Sequence, residues 1–201
     1  MLLQPPKLLH RLFPDILWNI RDSGKSLFLT FDNGPNPEVT PKVLAILNRY
    51  QVKATFFCLG HQAKKYPQLV NALRKDGHTI GNHGFEHLDG WKTNTGKYIE
   101  NAERADEYIS SRLFRPPYGR ISLSQLHRLK KRYQIVMWDV MSYDFKAPIS
   151  TCYQIVTGHS NNGSVIVFHD IPKTKNTMLG ALEKSITYFR EQGFQFRAIG
   201  N

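Results

Sequence analysis

The feature that most restricts the fold is a regular alternation of short apolar segments with amphipathic segments of helical periodicity. The apolar segments are rich in β-branched and aromatic residues, as in residues 165–168 (Val-Ile-Val-Phe), which is typical of parallel strands covered by helices. The segments between them carry apolar residues at three-to-four spacing, for example Val43, Leu44 and Leu47. Such alternation predicts a right-handed α/β fold, either a (β/α) barrel or an open doubly wound sheet.

Seven strands are predicted, at residues 26–31, 54–59, 78–81, 113–115, 134–139, 164–168 and 194–199. Helices are predicted between them at residues 40–50, 67–75, 95–111, 122–132, 150–159 and 177–192. A chain of 201 residues is long enough for one domain with a sizeable core. The strand count is one short of the usual eight-stranded barrel.

Polar residues occur where the predicted strands end. These residues are Asp32, His83, Arg115, Asp139 and His169. In parallel α/β folds the carboxyl ends of the strands form the edge at which ligands bind. A single Asp or His after a strand is usually a helix cap or a turn residue, but five on one edge predict a functional site.

Five short motifs contain these positions and the residues around them. They are residues 30–35 (Thr-Phe-Asp-Asn-Gly-Pro), 83–87 (His-Gly-Phe-Glu-His), 115–119 (Arg-Pro-Pro-Tyr-Gly), 138–145 (Trp-Asp-Val-Met-Ser-Tyr-Asp-Phe) and 167–170 (Val-Phe-His-Asp). Each motif alone has an ordinary explanation as a turn, a solvated pair or core packing. Their order along the chain is much more specific than any single member.

The residue types in these motifs suit hydrolytic chemistry. If their segment is helical, His83 and His87 face the same way, and this spacing suits a divalent metal such as zinc. Two prolines make the loop before Tyr118 rigid, so the Tyr118 N–H is a candidate oxyanion donor. Trp138 could stack on a sugar or pack in the core. A histidine at a strand end, such as His169, can act as a general acid or base.

In this order and spacing the motifs resemble those of the polysaccharide deacetylase family, which has the NodB homology domain and corresponds to carbohydrate esterase family 4. The resemblance covers residues 26–199. It implies a distorted (β/α) barrel of about seven β/α units. It also implies a metal-dependent hydrolase that removes N-acetyl groups from N-acetylglucosamine-type carbohydrate and releases acetate. Residues 26–201 are therefore predicted as the catalytic domain, and residues 1–25 as an N-terminal extension that packs on it.

The resemblance also implies roles for individual residues. Asp32 corresponds to the general base and His169 to the general acid. Arg115 is expected to steady Asp32, and Asp144 is expected to hold Arg115.

By the same resemblance, His83, His87 and Asn33 are the expected metal ligands, and Tyr118 and Trp138 the expected oxyanion and substrate contacts. Zinc is the expected metal, with cobalt and nickel as alternatives. The family has Asp where this chain has Asn33, so we expect weaker metal binding. A metal that does bind would keep more of its positive charge and would acidify water more strongly.

Asn33 leaves three interpretations open. The chain is an active enzyme that tolerates weak metal binding, a catalytically impaired carbohydrate-binding domain of the same fold, or an engineered variant. The retained acid, base, Arg and Tyr favour the hydrolase. Two smaller departures from the family are Gly84, where Ser or Thr is common, and Phe145, where many members have Trp.

The formal net charge of +11 would suit nucleic acid, an anionic membrane or an acidic polymer. Neither an RNA-binding aromatic signature nor zinc-finger spacing occurs, so we expect an N-acetylated sugar rather than nucleic acid as the partner. Prolines and charges interrupt residues 1–22, which argues against a secretion signal and predicts a cytoplasmic location. Peripheral membrane contact through this segment, with Leu8, Leu9, Leu12 and Phe13 as the apolar side chains, is the alternative to packing on the domain.

Overall fold

The structure is a computed structural model that describes residues 3–20 and 24–200. In this part of the chain, eight parallel strands form one curved sheet. The strands are β1 (Ser26–Asp32), β2 (Thr55–Cys58), β3 (Thr79–Asn82), β4 (Leu113–Phe114), β5 (Gln134–Ile135), β6 (Val140–Met141), β7 (Val165–His169) and β8 (Gln195–Phe196). Their order is β5-β4-β3-β2-β1-β7-β6, and β8 pairs with the start of β1. The predicted distorted (β/α) barrel is confirmed.

Helices connect the strands and cover the outside of the sheet. They are α1 (Lys7–Leu12), α2 (Thr40–Arg49), α3 (Gly60–Lys65), α4 (Pro67–Lys75), α5 (Thr95–Ile109), α6 (Leu123–Leu129), α7 (Ile149–His159) and α8 (Lys175–Glu191), with a 3₁₀ turn at Pro117–Gly119. The sequence pattern did not indicate α1 and α3, because six residues are too few to show helical periodicity. In α2, the predicted face of Val43, Leu44 and Leu47 is buried.

The segment 134–139, predicted as one strand, is divided between the two edges of the sheet. β5 pairs with β4, whereas β6 pairs with β7, so the chain crosses the opening of the barrel between them. The N-terminal segment fills part of this opening. Leu17 N donates to Ile135 O (2.9 Å), and Met137 N donates to Leu17 O (2.8 Å).

The described part of the predicted extension contacts the domain by its apolar side chains. Ile16 and Trp18 are buried in one core cluster, and Leu9 and Phe13 pack against that cluster. Leu8 remains 63% exposed. Residues 1, 2 and 21–23 of the predicted extension, and residue 201 of the predicted catalytic domain, lie outside the described residues. In the described part, no helix has both the length and the apolar character needed to cross a bilayer.

Strand register brings the predicted site residues to one edge. Asp32 and His169 are direct partners on β1 and β7. Asn82 and Phe114 are partners on β3 and β4, so the residues that follow them, His83 and Arg115, also lie side by side. The carboxyl ends of these four strands therefore hold four of the five polar residues singled out above.

Asp139 does not belong to this edge, so its predicted position is wrong. Asp139 N donates to the carbonyl of Val165 (2.9 Å), the first residue of β7. Its carboxylate accepts hydrogen bonds from Asn19 and Ser164. Because the predicted strand breaks in two, Asp139 precedes β6 and lies at the amino end of the sheet, where it has a structural role.

Candidate active site

Arg115, directly after β4, is fully buried, and the hydrogen bonds of its guanidinium hold the edge together. Nη1 donates to Asp32 Oδ1 and to Thr30 Oγ1, both at 2.7 Å. Nη2 and Nε donate to the carbonyls of Met137 (2.9 Å) and Val136 (3.3 Å). These four bonds fix the guanidinium in one orientation and tie β1 to the crossing segment.

The buried Asp32 is kept ionised by this arrangement. Burial by itself would raise the pKa of the Asp32 carboxyl, but the charge of Arg115, assisted by His83 and His169, lowers that pKa below its usual value. An oxygen of Asp32 lies 4.0 Å from His83 Nε2. The site thus holds a carboxylate that is ionised at neutral pH, the form that a general base requires.

His169, the last residue of β7, is paired with Asp144. The Asp144 carboxylate accepts from His169 Nδ1 (2.8 Å) and from the His169 backbone N–H (2.7 Å). Burial alone would lower the pKa of His169, but the Asp144 charge and hydrogen bond raise it above the ordinary value. The expected pairing of Asp144 with Arg115 is therefore wrong. Asp144 instead holds the histidine, since the turn through Ser142 carries its carboxylate toward β7.

His83, His87 and Asn33 form a second group at the same edge. The two imidazole rings lie 5.1 Å apart between centroids. The segment carrying them is an irregular loop that bends at residues 85–86, so the helical arrangement considered above is wrong, although the loop still brings the rings together. His83 donates its Nδ1–H to the Arg115 carbonyl (2.7 Å). This bond leaves Nε2 with a free lone pair.

The chemistry of this group fits a divalent cation. Burial lowers the pKa of His83 and lowers that of His87 to about 3, so both imidazoles are neutral, the form that binds metals. Asn33 Oδ1 is buried and has no hydrogen-bond partner among residues 3–20 and 24–200, which leaves a carbonyl oxygen to act as a ligand. In the part of the chain that the structure describes, no cluster of three His, Cys, Asp or Glu residues could hold a metal. The third donor here would be an amide.

The acid–base residues Asp32 and His169 and the second group, Asn33, His83 and His87, line one cleft with a volume of about 280 Å³. Its walls are Asp32, Asn33, His83, His87, Pro116, Tyr118, Gly119, Trp138, Met141, Phe145, His169, Ile171 and Lys173. Tyr118 has a left-handed backbone (φ 60°), which is uncommon for a residue with a side chain and is typical of functional sites. Its ring lies edge-on to His87, with centroids 4.3 Å apart.

Comparison with known proteins agrees with this geometry. A family model described as polysaccharide deacetylase matches residues 19–136. The chain belongs to the polysaccharide deacetylase family. The family predicted from the motifs is thereby confirmed, and the chain is a carbohydrate deacetylase by family, a class of hydrolases.

The similarity to individual family members extends over most of the chain. The chain is 37% identical over 177 residues to a peptidoglycan-N-acetylglucosamine deacetylase of Bacillus cereus, and the match covers 84% of this chain and 64% of that protein. It is 36% identical over 161 residues to a chitooligosaccharide deacetylase of Azorhizobium caulinodans, covering 75% and 76%. The solved structure of the Bc1960 peptidoglycan N-acetylglucosamine deacetylase matches with a TM-score of 0.88 and 32% identity, covering 92% and 91%.

In this polysaccharide deacetylase, the loop after β1 is supported by residues not predicted from sequence. The buried Asp170 carboxylate accepts from Thr40 Oγ1 (2.6 Å), which in turn accepts from Asn36 N (2.7 Å). Asp170 N donates to Asp32 O (3.2 Å). Burial raises the pKa of Asp170 to about 7. A Cβ at Gly34 would overlap this carboxyl group, so glycine is required where the loop meets Asp170.

The contact of Thr30 with Arg115 was also not predicted, although the sequence contains a signal for it. Alternate residues of a strand face the same side, so Thr30 lies beside Asp32 and shares Arg115 with it. Gly84, noted above as a departure from the family, has φ of 81°, and a Cβ there would overlap the Asn101 side chain. The local backbone therefore favours glycine at that position.

Proposed function

We propose that this protein is a metal-dependent N-deacetylase of N-acetylglucosamine-containing glycans. The observation that carries the proposal is that Asp32 and His169 are partners on adjacent strands, and that Arg115 binds the first (2.7 Å) while Asp144 binds the second (2.8 Å). These contacts lower the pKa of Asp32 and raise that of His169. Neighbouring groups whose pKa values are driven apart are typical of an acid–base pair. Peptidoglycan and chitooligosaccharide deacetylases among the relatives support N-acetylglucosamine units as the substrate.

Asp32 and His169 divide the proton transfers between them. Asp32 takes the proton from the water that attacks the acetyl carbonyl carbon. Arg115 keeps Asp32 ionised and holds its second oxygen toward the cleft. His169 then gives the proton on Nε2 to the leaving amine nitrogen, which releases acetate and a free amino sugar. Asp144 holds the Nδ1–H of His169 (2.8 Å), so Nε2 is the nitrogen that faces the substrate.

His83, His87 and Asn33 would hold the metal, for which zinc fits the imidazole donors best and cobalt and nickel fit them as alternatives. When bound, a divalent cation polarises the acetyl carbonyl and lowers the pKa of the attacking water. The Tyr118 N–H is the proposed donor to the carbonyl oxygen as it gains negative charge. Trp138, whose ring packs against the turn at Gly119, is the proposed apolar wall beside the sugar.

A catalytically impaired carbohydrate-binding domain is the second candidate function. The specific observation in its favour is Asn33, a neutral amide that binds a cation less strongly than a carboxylate would. The buried, unpartnered Oδ1 and the retained acid–base pair favour the enzyme.

The test is release of acetate from N-acetylglucosamine oligomers with added zinc or cobalt. The protein, its Asn33→Asp variant and its His169→Asn variant are compared. Activity in the protein and in Asn33→Asp, but not in His169→Asn, supports the proposal. Activity in Asn33→Asp alone supports the impaired binding domain. No acetate from any of the three, with metal shown to be bound, would refute the deacetylase.

A further inference from the structure

An exposed aromatic surface adjoins the cleft, and its two rings have no role in the mechanism above. Among the described residues, Trp91 and Tyr118 are the two aromatic side chains most open to solvent, at 68% and 44% exposed. Tyr118 lines the cleft. The guanidinium of Arg120 lies over both rings, 5.1 Å from the Trp91 centroid and 5.8 Å from that of Tyr118. The indole is therefore just outside the cleft mouth, on the side of the histidine pair.

The loop that carries Trp91 is fixed by several polar contacts. Asp89 accepts from Trp91 N (3.0 Å) and from Arg120 Nη1. The Gln125 side chain donates to the Gly90 carbonyl (2.8 Å). A Cβ at Gly90 would overlap the Arg120 backbone, so the loop and the strand-connecting turn are in close contact. The backbone at Trp91 is consequently held in place before any ligand arrives, which lowers the entropy cost of ordering this loop on binding.

Folding does not explain this position of the indole. A single exposed apolar residue is ordinary on a protein surface. An indole that stands in water beside a cleft, on a loop held by hydrogen bonds, and that shares a guanidinium with a second exposed ring is different. Two exposed rings joined by a guanidinium form a surface with an apolar face and a polar rim. The pyranose ring of a sugar has the matching chemistry, because one face presents C–H groups and its edge presents hydroxyls.

The size of the cleft requires that any longer ligand continue over the surface. A volume of about 280 Å³ is at the small end of the range for ligand pockets. The cleft can therefore enclose the reacting unit and little more. Neighbouring units of a glycan chain must then lie outside the cleft. On the Tyr118 side the adjoining surface is formed by Arg120 and Trp91.

On the basis of the proposed function, we infer that Trp91, held by Asp89 and Arg120, is a stacking site for a sugar unit of an N-acetylglucosamine chain outside the unit being deacetylated. The site makes the enzyme prefer oligomers over shorter substrates. It acts on binding, and it has no part in the proton transfers.

The experiment measures binding of the N-acetylglucosamine hexamer and dimer by calorimetry, with the protein, Trp91→Ala, Trp91→Phe and Leu8→Ala. Leu8 is a matched control because it is similarly exposed (63%) but lies on α1. We expect Trp91→Ala to weaken hexamer binding about tenfold and to reduce the preference for the hexamer over the dimer. Trp91→Phe should keep most of the preference, since it retains a flat ring, and Leu8→Ala should keep all of it.

The readout is binding rather than acetate release, so this result can be told apart from that of the deacetylase test. Equal hexamer affinity in the protein and in Trp91→Ala would overturn the inference, as would a protein that binds the hexamer no better than the dimer. Loss of preference in Leu8→Ala as well would also overturn it, because the effect would then not be local to Trp91. If the protein binds the hexamer through Trp91 but releases no acetate, the stacking site stands and the proposed catalysis fails.

Discussion

The candidate active site has two halves. They differ in how completely the folded chain neutralises their charges and provides hydrogen-bond partners for their polar atoms. The proton-transfer half consists of Asp32, Arg115, Asp144 and His169. Its two ionic contacts are short, at 2.7 and 2.8 Å, and Arg115 also donates to three further oxygens. The fold therefore balances these charges by itself.

The metal half consists of Asn33, His83 and His87, and it lacks this balance. Asn33 Oδ1 is buried and has no hydrogen-bond partner in the described part of the chain, and burial lowers the pKa of both imidazoles. Such groups are normally satisfied by hydrogen bonds or by a cation. Folding alone therefore builds the proton-transfer half, whereas ligand binding completes the metal half. Substitutions in the first should therefore change stability and pH dependence, and substitutions in the second should change metal affinity.

The largest effect is expected from Arg115→Met, which breaks the charge balance of the proton-transfer half. It leaves the buried Asp32 carboxylate without its cation, and the loss of one partner of a buried pair costs about 3–5 kcal/mol. The free energy of unfolding, measured with urea, should fall by that amount. Thr30→Val, which removes one acceptor of the same guanidinium, should cost about 1–3 kcal/mol. A loss under about 1 kcal/mol for Arg115→Met would show that this half is not held together by its charges.

The second prediction concerns Asp144→Asn. Asp144 raises the pKa of His169, so the acid form of His169 persists to higher pH than in a free histidine. The variant should lose about 100-fold in kcat, and the alkaline limb of its kcat/KM profile should move to lower pH. Asp139→Asn is the matched control, since this carboxylate lies at the other end of the sheet, and its alkaline limb should not move. An unmoved limb in Asp144→Asn would contradict the assignment of His169 as the acid.

The same raised pKa affects stability. The folded pKa of His169 lies above its unfolded value, so its contribution to stability is complete below the ordinary histidine pKa. The contribution is lost as the pH rises through the raised value. In Asp144→Asn this part of the pH dependence of unfolding should disappear.

The third prediction tests the metal half with Asn33→Asp. A carboxylate in place of the amide adds one negative charge to the ligands, so zinc affinity should rise at least about tenfold. Without metal, the new charge lies beside Asp32 and should destabilise the fold; added zinc should reverse this loss. Competition with a chelator measures the affinity, and thermal unfolding measures the stability. Asn36→Asp adds the same charge nearby and should bind zinc as the unchanged protein does. Equal affinities in all three would show that residue 33 is not a ligand.

The two halves also differ in how far the sequence predicted them. Strand ends and motif order correctly placed Asp32, His83, Arg115 and His169 at one edge, because parallel strands bring their carboxyl ends together. The family and the barrel followed from the same order. Pairings across the site were harder to predict. The partner of Asp144 depends on the path of the turn after β6, which has no periodicity from which to read it.

Two errors of the sequence-based prediction have a common cause. The position of Asp139 and the extent of the strand at 134–139 both depend on where the chain leaves one edge of the sheet for the other. The apolar character of the sequence continues through that crossing. Val136 and Met137 are buried in the observed crossing, as they would be in one continuous strand. Burial alone therefore could not show the break. Asp170 was missed for a related reason: its function depends on the close approach of Gly34, a contact between loops that are distant in sequence.

The smallest effect is expected from Arg49→Met, which repeats the Arg115 substitution at an exposed ion pair. Arg49 Nη1 lies 2.7 Å from Glu183 Oε1, the same separation as in the buried pair, but the two side chains are 65% and 39% exposed. Water screens such a pair, and each long side chain loses conformational freedom in forming it, so the loss of stability should be within about 0.5 kcal/mol. Urea unfolding of the two Arg→Met variants side by side separates the effect of distance from that of burial. Equal losses of stability would mean that the contact distance alone sets the strength of the Arg115–Asp32 pair. The distinction between the proton-transfer half and the metal half would then lose its physical basis.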